Sequence, residues 1–226
     1  MNTHIEIWNH FASIHEIQKN WVDLFDVNVD SIVNTKLIGT QNKRKILCRS
    51  KAMETLIIRE CEKLVTDWKD NTEIYDGLIY IMGVELENGI APLYIGKAEK
   101  YGRGDKNLSI NINGITKDKS KFGRWGDNYA YHMGDLSAAA IGHDSKFVQP
   151  KYQDWANKLF ESIPNDNIKL KCPVYFWAKA WNPQTDQSPW IDFGNTRLTF
   201  VEYLLIGLCS SAFPEILLNR EGQNRK

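Results

Sequence analysis

The stretch from Gly77 to Gly96 constrains this chain more than any other feature. Gly77-Leu-Ile-Tyr80-Ile-Met-Gly-Val-Glu-Leu86 is a run of apolar and β-favouring residues, and Glu87-Asn88-Gly89 after it is a turn signal. Ala91-Pro-Leu-Tyr94-Ile-Gly96 is a second such run. Together they predict an antiparallel hairpin, which must be covered by other elements because so few of its residues are polar. Cys172 to Trp181 alternates Val174, Phe176 and Ala178 with Tyr175, Trp177 and Lys179, which predicts a third strand with two different faces.

The covering elements read as helices. Ile5, Trp8, Phe11, Ile14, Ile17, Trp21 and Phe25 recur every three or four residues, with a break expected near Asn20. Met53, Leu56, Ile57, Cys61, Leu64, Val65 and Trp68 form a second stripe. Helices are also expected over 124–140, 152–160 and 196–211, the last capped by Asn195 or Thr196. The expected fold is therefore α+β. It has a small, mostly antiparallel three-stranded sheet flanked by helices and a helical N-terminal extension over residues 1–70.

Composition narrows the function classes. With 226 residues the chain is long enough to bury a core without staples, and 28 basic residues balance 28 acidic ones. Such a chain does not coat nucleic acid by bulk charge, though a local basic face remains open to it. The four cysteines, at 48, 61, 172 and 209, lack metal-ligand or redox spacing and read as reduced thiols of a cytoplasmic protein. Residues 1–12 do not resemble a signal peptide, and the apolar run Leu198 to Phe213 is too short, and with Glu202 too charged, to span a bilayer.

Several residues carry potential chemistry. Tyr80 and Tyr94 lie on adjacent strands, and Lys97 follows three residues after the second. Arg103, Arg124, His132 and Glu202 come later. Glu202 sits among Phe200, Val201, Tyr203, Leu204 and Leu205, where a carboxylate is costly to bury unless it meets a cation. Tyrosine, lysine, arginine, histidine and one carboxylate form a coherent set for phosphodiester hydrolysis. The carboxylate holds a metal, the cations stabilise phosphate charge, and tyrosine or histidine moves a proton.

Gly77-Leu78-Ile79-Tyr80 followed by Tyr94-Ile95-Gly96-Lys97 resembles the two signature tripeptides of the GIY-YIG nucleases, with Leu78 intervening in the first. In order, Arg124, His132, Glu202 and Asn219 resemble the later residues of that pattern, over about residues 76–220. The chain looks most similar to the GIY-YIG restriction endonucleases, in which a long insertion also follows the second tyrosine.

The resemblance implies a nuclease domain over 71–226 and a Mg²⁺-dependent (or Mn²⁺-dependent) DNA endonuclease, restriction-type or otherwise anti-phage. Tyr80 would take the proton of the attacking water, directly or through His132, with Tyr94 as the alternative. Lys97 would favour the phenolate. Arg124, or else Arg103, would hold the scissile phosphate. Glu202 would bind the metal, and Asn219 would orient backbone or metal-bound water.

Charge placement agrees with a DNA partner. Between Tyr94 and Gly126 eight basic residues face three acidic ones. Lys100, Arg103, Lys106, Lys117, Lys119 and Lys121 in this stretch are expected to track phosphates, as are Lys43, Arg44 and Lys45 in the basic run 43–51. Residues 1–70 read as a DNA-contacting or dimerising extension, and a homodimer would give two sites for two strands. The competing readings are a non-catalytic nucleic-acid-binding module and an RNA or single-strand nuclease.

Overall fold

The computed structural model describes residues 3–39, 43–100, 125–126, 131–143, 146 and 148–220. Among them the chain forms six α-helices: α1 (Thr3–Ile14), α2 (Ile17–Asn20), α3 (Lys51–Asp70), α4 (His132–Ile141), α5 (Pro150–Leu159) and α6 (Leu198–Ala212). Six strands accompany them: β1 (Val22–Asp23), β2 (Thr35–Ile38), β3 (Arg44–Leu47), β4 (Gly77–Leu86), β5 (Gly89–Glu99) and β6 (Tyr175–Trp181). The fold is α+β, as expected. No helix among the described residues is long and apolar enough to cross a membrane.

The expected hairpin is β4–β5, turning at Glu87 and Asn88, with Tyr80 opposite Gly96 and Met82 opposite Tyr94. β6 pairs antiparallel with the other side of β4 and sets Ala178 opposite Tyr80. The main sheet has four strands rather than the expected three, in the order β1-β6-β4-β5. The added strand, β1, comes from the N-terminal stretch, where Val22 pairs with Phe176. Two residues of edge pairing leave no periodic signal, so this strand was illegible in the sequence.

The rest of residues 1–70 is equally tied to the elements from β4 onward. Trp8 and Phe11 of α1 and Leu56, Ile57 and Cys61 of α3 share one hydrophobic core with Ile79, Ile81, Ile95, Trp181 and Leu205. Each such side chain contributes about 1.5–3 kcal/mol when fully buried. The helical stretch ends at Asn20 as expected, with Trp21 extended, and it also breaks earlier, between α1 and α2, at left-handed Glu16. α3 starts where the Ser50 hydroxyl accepts the Met53 amide (2.9 Å) and ends at left-handed Asn71. The basic run before it is no plain connector. It forms β3, paired antiparallel with β2 in a two-stranded hairpin.

Strand alternation divides the β4–β5 side chains between two faces. Tyr80, Tyr94 and Gly96 share one face, beneath α4 and α5, where His132 and Trp155 meet the Tyr94 ring at 5.4 and 4.6 Å between centroids. Lys97 and Glu99 point to the other face, which α6 covers and where Lys97 meets Thr199.

Candidate active site

Two groups of the expected residues emerge, one on each face of β5. The first is built on Tyr80 and Tyr94, whose rings lie 6.3 Å apart. The Tyr80 hydroxyl is 3.2 Å from Nε2 of His132, the first residue of α4. Nδ1 of the same imidazole is 2.8 Å from the Tyr152 hydroxyl on α5. A neutral imidazole donates at one nitrogen and accepts at the other, so the two tyrosines take complementary roles toward it. Trp125 meets the Tyr80 ring edge-on and stands 4.9 Å from His132. Tyr80, Tyr94, His132, Tyr152 and Trp125 are all buried.

Glycine makes this arrangement possible at two places. A Cβ at Gly96 would lie 2.6 Å from the Tyr80 ring and hydroxyl, so only a hydrogen leaves room for the ring. Gly77, with φ at +153°, rests against the Ala98 carbonyl and the Leu198 side chain. These are the glycines of the second and first tripeptides. Their role here is close approach of a ring to a strand and of a helix to a strand end.

Lys151 joins the same group. Its amine is 3.2 Å from the Tyr94 hydroxyl and 4.5 Å from the centre of that ring, and it also lies over Trp155. Neither Lys151 nor Tyr152 was singled out by sequence reasoning. The signal for them was the adjacency of Lys151-Tyr152 at a helix start, which looks like ordinary surface and core until α5 is docked on the sheet.

The second group lies under α6. The Lys97 amine donates to Thr199 (2.6 Å) and to Glu99, and it stands 4.0 Å from a Glu202 carboxylate oxygen. Thr199 in turn donates to Glu99 (2.7 Å). Arg197 pairs with Asp76 and Lys179 with Asp186, so neither supplies the cation beside Glu202. Among the described residues no three His, Cys, Asp or Glu side chains converge as a metal cage. Mg²⁺ needs only one or two protein carboxylates when water and substrate phosphates complete its shell. Glu202, a carboxylate mostly shielded from solvent, fits that minimal requirement.

Asn219 is not in either cluster but braces both. Its side-chain oxygen accepts the Ile95 amide (2.9 Å) and its amide donates to the Ile95 carbonyl (2.8 Å). The Leu218 amide adds a bond to the Leu93 carbonyl (2.7 Å). The C-terminal segment thus closes the outer edge of β5 between the tyrosine that precedes Ile95 and the lysine that follows Gly96. Asn219 thus holds the β5 backbone at Ile95 from the strand's outer side.

The basic residues separate sharply. Lys100 is fully buried and paired with the buried Asp67 at 2.5 Å, so it is turned away from any phosphate, contrary to expectation. Burial pushes the Asp67 carboxyl up, but bonds from Lys100, the Thr72 hydroxyl and the Ile74 and Tyr75 amides outweigh it and hold the group at about 2. Lys45 sits on the two-stranded hairpin, paired with Asp166 at 2.9 Å. Lys43 is exposed beside it, and Arg44 is half-buried in β3.

Arg49, from the same run, is buried and donates to the Trp125 carbonyl (2.6 Å) and to Glu54 (3.0 Å). It therefore ties the N-terminal stretch to the tyrosine–histidine group. Arg103, Lys106, Lys117, Lys119, Lys121 and Arg124 lie outside the described residues. Comparison with protein-family models, with curated proteins and with solved structures finds no match.

Proposed function

We propose that this protein is a Mg²⁺- or Mn²⁺-dependent endonuclease of the GIY-YIG kind, acting on DNA. The observation that carries the reading is the hydrogen-bonded series Tyr80–His132–Tyr152 beside Tyr94, on strands that also carry the two signature glycines. Tyrosine is a poor base near neutral pH because its ordinary pKa is about 10. The imidazole 3.2 Å away answers this. As the attacking water gives its proton to the Tyr80 oxygen, the phenolic proton passes to His132 Nε2, and Tyr152 steadies the ring through Nδ1. The Lys151 amine favours negative charge on the neighbouring Tyr94 oxygen.

Glu202 is the residue that would hold the metal, which when bound supplies positive charge at the leaving oxygen. β5 is the outermost strand of the main sheet, so the two groups meet only across its edge. The reading therefore requires the scissile phosphodiester to lie over that edge, beyond the part closed by Asn219. Arg124 or Arg103 would grip the phosphate, and Lys106, Lys117, Lys119 and Lys121 would follow the flanking backbone. Restriction-type or other anti-phage cutting is the biological setting this resemblance suggests.

A second reading is favoured by the burial of the tyrosine–histidine group and by its separation from Glu202. In it the aromatic network is core, and the protein binds nucleic acid without cutting it. The test is cleavage of supercoiled plasmid, linear duplex, single-stranded DNA and RNA, each with Mg²⁺ or with EDTA, beside Tyr80→Phe and Glu202→Gln. Metal-dependent cutting of duplex that both substitutions abolish supports the nuclease. Binding without cutting in any arm supports the second reading, and cutting confined to RNA or single strands replaces the duplex substrate.

A further inference from the structure

Arg49 is a buried cation that the proposed chemistry leaves without a task. Its side chain is 3% exposed, so it is enclosed from solvent and substrate alike. Burying a guanidinium is costly unless well-placed acceptors meet it. Nη1 donates to the Trp125 carbonyl (2.6 Å) and Nη2 to Glu54 in the first turn of α3 (3.0 Å). The backbone around Arg49 is clamped as well. The Cys48 carbonyl accepts the Asp26 amide, the Ser50 amide donates to the Leu24 carbonyl, and Arg49 itself bridges to Phe25. The guanidinium therefore reaches Trp125 from a fixed base, and its planar fork sets the direction in which it donates.

Trp125 carries that constraint to the tyrosine–histidine group. Its ring stands 4.9 Å from the His132 ring and meets Tyr80 edge-on at 6.0 Å. His132 depends on such neighbours, because α4 starts without a cap of its own: the Tyr131 side chain makes no capping hydrogen bond. The same N-terminal segment holds α4 at a second point. The Leu47 amide donates to the Ser137 hydroxyl (3.0 Å), and that hydroxyl donates to the carbonyl of Met133, the residue after His132. Residues 47–49 thus grip both the Trp125 backbone and the helix that begins at His132.

We infer that Arg49 is a positioning residue: through Trp125 it sets the His132 ring against the Tyr80 hydroxyl, so that the N-terminal stretch completes the candidate active site. Its effect on cleavage rests on the nuclease reading, whereas its effect on the imidazole does not. A phosphate contact, the role expected of the neighbouring Lys43, Arg44 and Lys45, is closed to Arg49 by its burial. The pair it serves stands at 3.2 Å. Proton transfer tolerates little change in such a distance, and a misplacement of about 1 Å lowers a rate by roughly a hundredfold.

Nuclear magnetic resonance of the full chain tests it, on the histidine ring nitrogens and the tryptophan indoles, with His132→Gln and Trp125→Phe assigning the signals. Arg49→Met keeps the apolar stem and removes the donors. The His132 and Trp125 signals should shift. The His15 ring should not, because it packs against Trp177 and Trp181 on the opposite face of the sheet from Tyr80. On duplex DNA with Mg²⁺, kcat should fall about a hundredfold with KM unchanged. Arg49→Lys keeps the charge but loses the fork, so it should shift the same signals, and it decides the matter if the methionine variant does not fold. His132 and Trp125 signals at the parent's positions in a folded variant overturn the inference, as does an equal shift at His15, which marks a general loosening. In an active enzyme, kcat at the parent's level overturns it too, and a raised KM would then assign Arg49 to DNA contact. A parent that cuts nothing refutes the nuclease reading alone, and the His132 signals still decide the role of Arg49.

Discussion

Gly96→Ala probes the candidate site through one methyl group. The added Cβ would stand 2.6 Å from the Tyr80 ring, whereas carbon atoms rest at about 3.5–4.0 Å, so the ring must move by about 1 Å. It has little room to do so. Phe176 stacks on it, Trp125 meets it edge-on, and His132 holds its hydroxyl. Overpacking of this kind costs about 1–3 kcal/mol. For a domain of this size, 2 kcal/mol lowers the melting temperature by roughly 4–8 °C.

The same displacement breaks the 3.2 Å bond between Tyr80 and His132. If that pair moves the proton, a 1 Å misplacement lowers the cleavage rate by about a hundredfold. A double-mutant cycle by urea unfolding isolates the cause. In a Tyr80→Ala background the obstacle is gone, and alanine at 96 should be neutral or should stabilise by up to about 1 kcal/mol, because glycine is a poor strand residue. The coupling should thus be about 1–4 kcal/mol. Additive costs would refute the claim that Gly96 is glycine because of the Tyr80 ring.

Four further outcomes are expected. Lys100→Met should destabilise by about 3–5 kcal/mol in urea unfolding, because it strands the buried Asp67 carboxylate. Asp67 lies at about 2 in the folded protein against an ordinary 3.8, so its contribution is complete above pH 4 and fades as pH falls toward 2. It amounts to about 2 kcal/mol, and Asp67→Asn should remove this part of the acid limb of stability. Asn219→Ala leaves the Ile95 amide and carbonyl without their side-chain partner, which should cost about 1–3 kcal/mol and speed hydrogen exchange at that amide. Tyr152→Phe should cost about 1 kcal/mol and shift the nitrogen resonances of the His132 ring, and unchanged resonances would refute its hold on Nδ1.

Much of the scaffold is legible residue by residue. The hairpin, the strand at 175–181, and the helices at 3–14, 51–70 and 198–212 follow from local periodicity and turn chemistry, which act over a few residues. Tyr80 and Tyr94 could be paired from the sequence because hairpin strands are adjacent by construction. What escaped was non-local. Strand β1 is two residues long and exists only because β6 offers an edge. Lys100 belongs to a basic stretch by composition, yet Asp67, 33 residues away, turns it inward. Arg49 reads as surface charge until α4 and Trp125 arrive beside it.

By itself, then, the sequence determined the longer helices and strands, the tyrosine hairpin and the order of the chemical groups, since these depend on neighbours along the chain. Only the tertiary structure decided which groups meet. Side chains one residue apart on a strand face opposite ways, so Gly96 carries the Tyr80–His132–Tyr152 series and Lys97, next to it, faces Thr199 and Glu202. That division rests on which helix packs on which face of β5, and it is set by the fit of the whole core rather than by any local pattern.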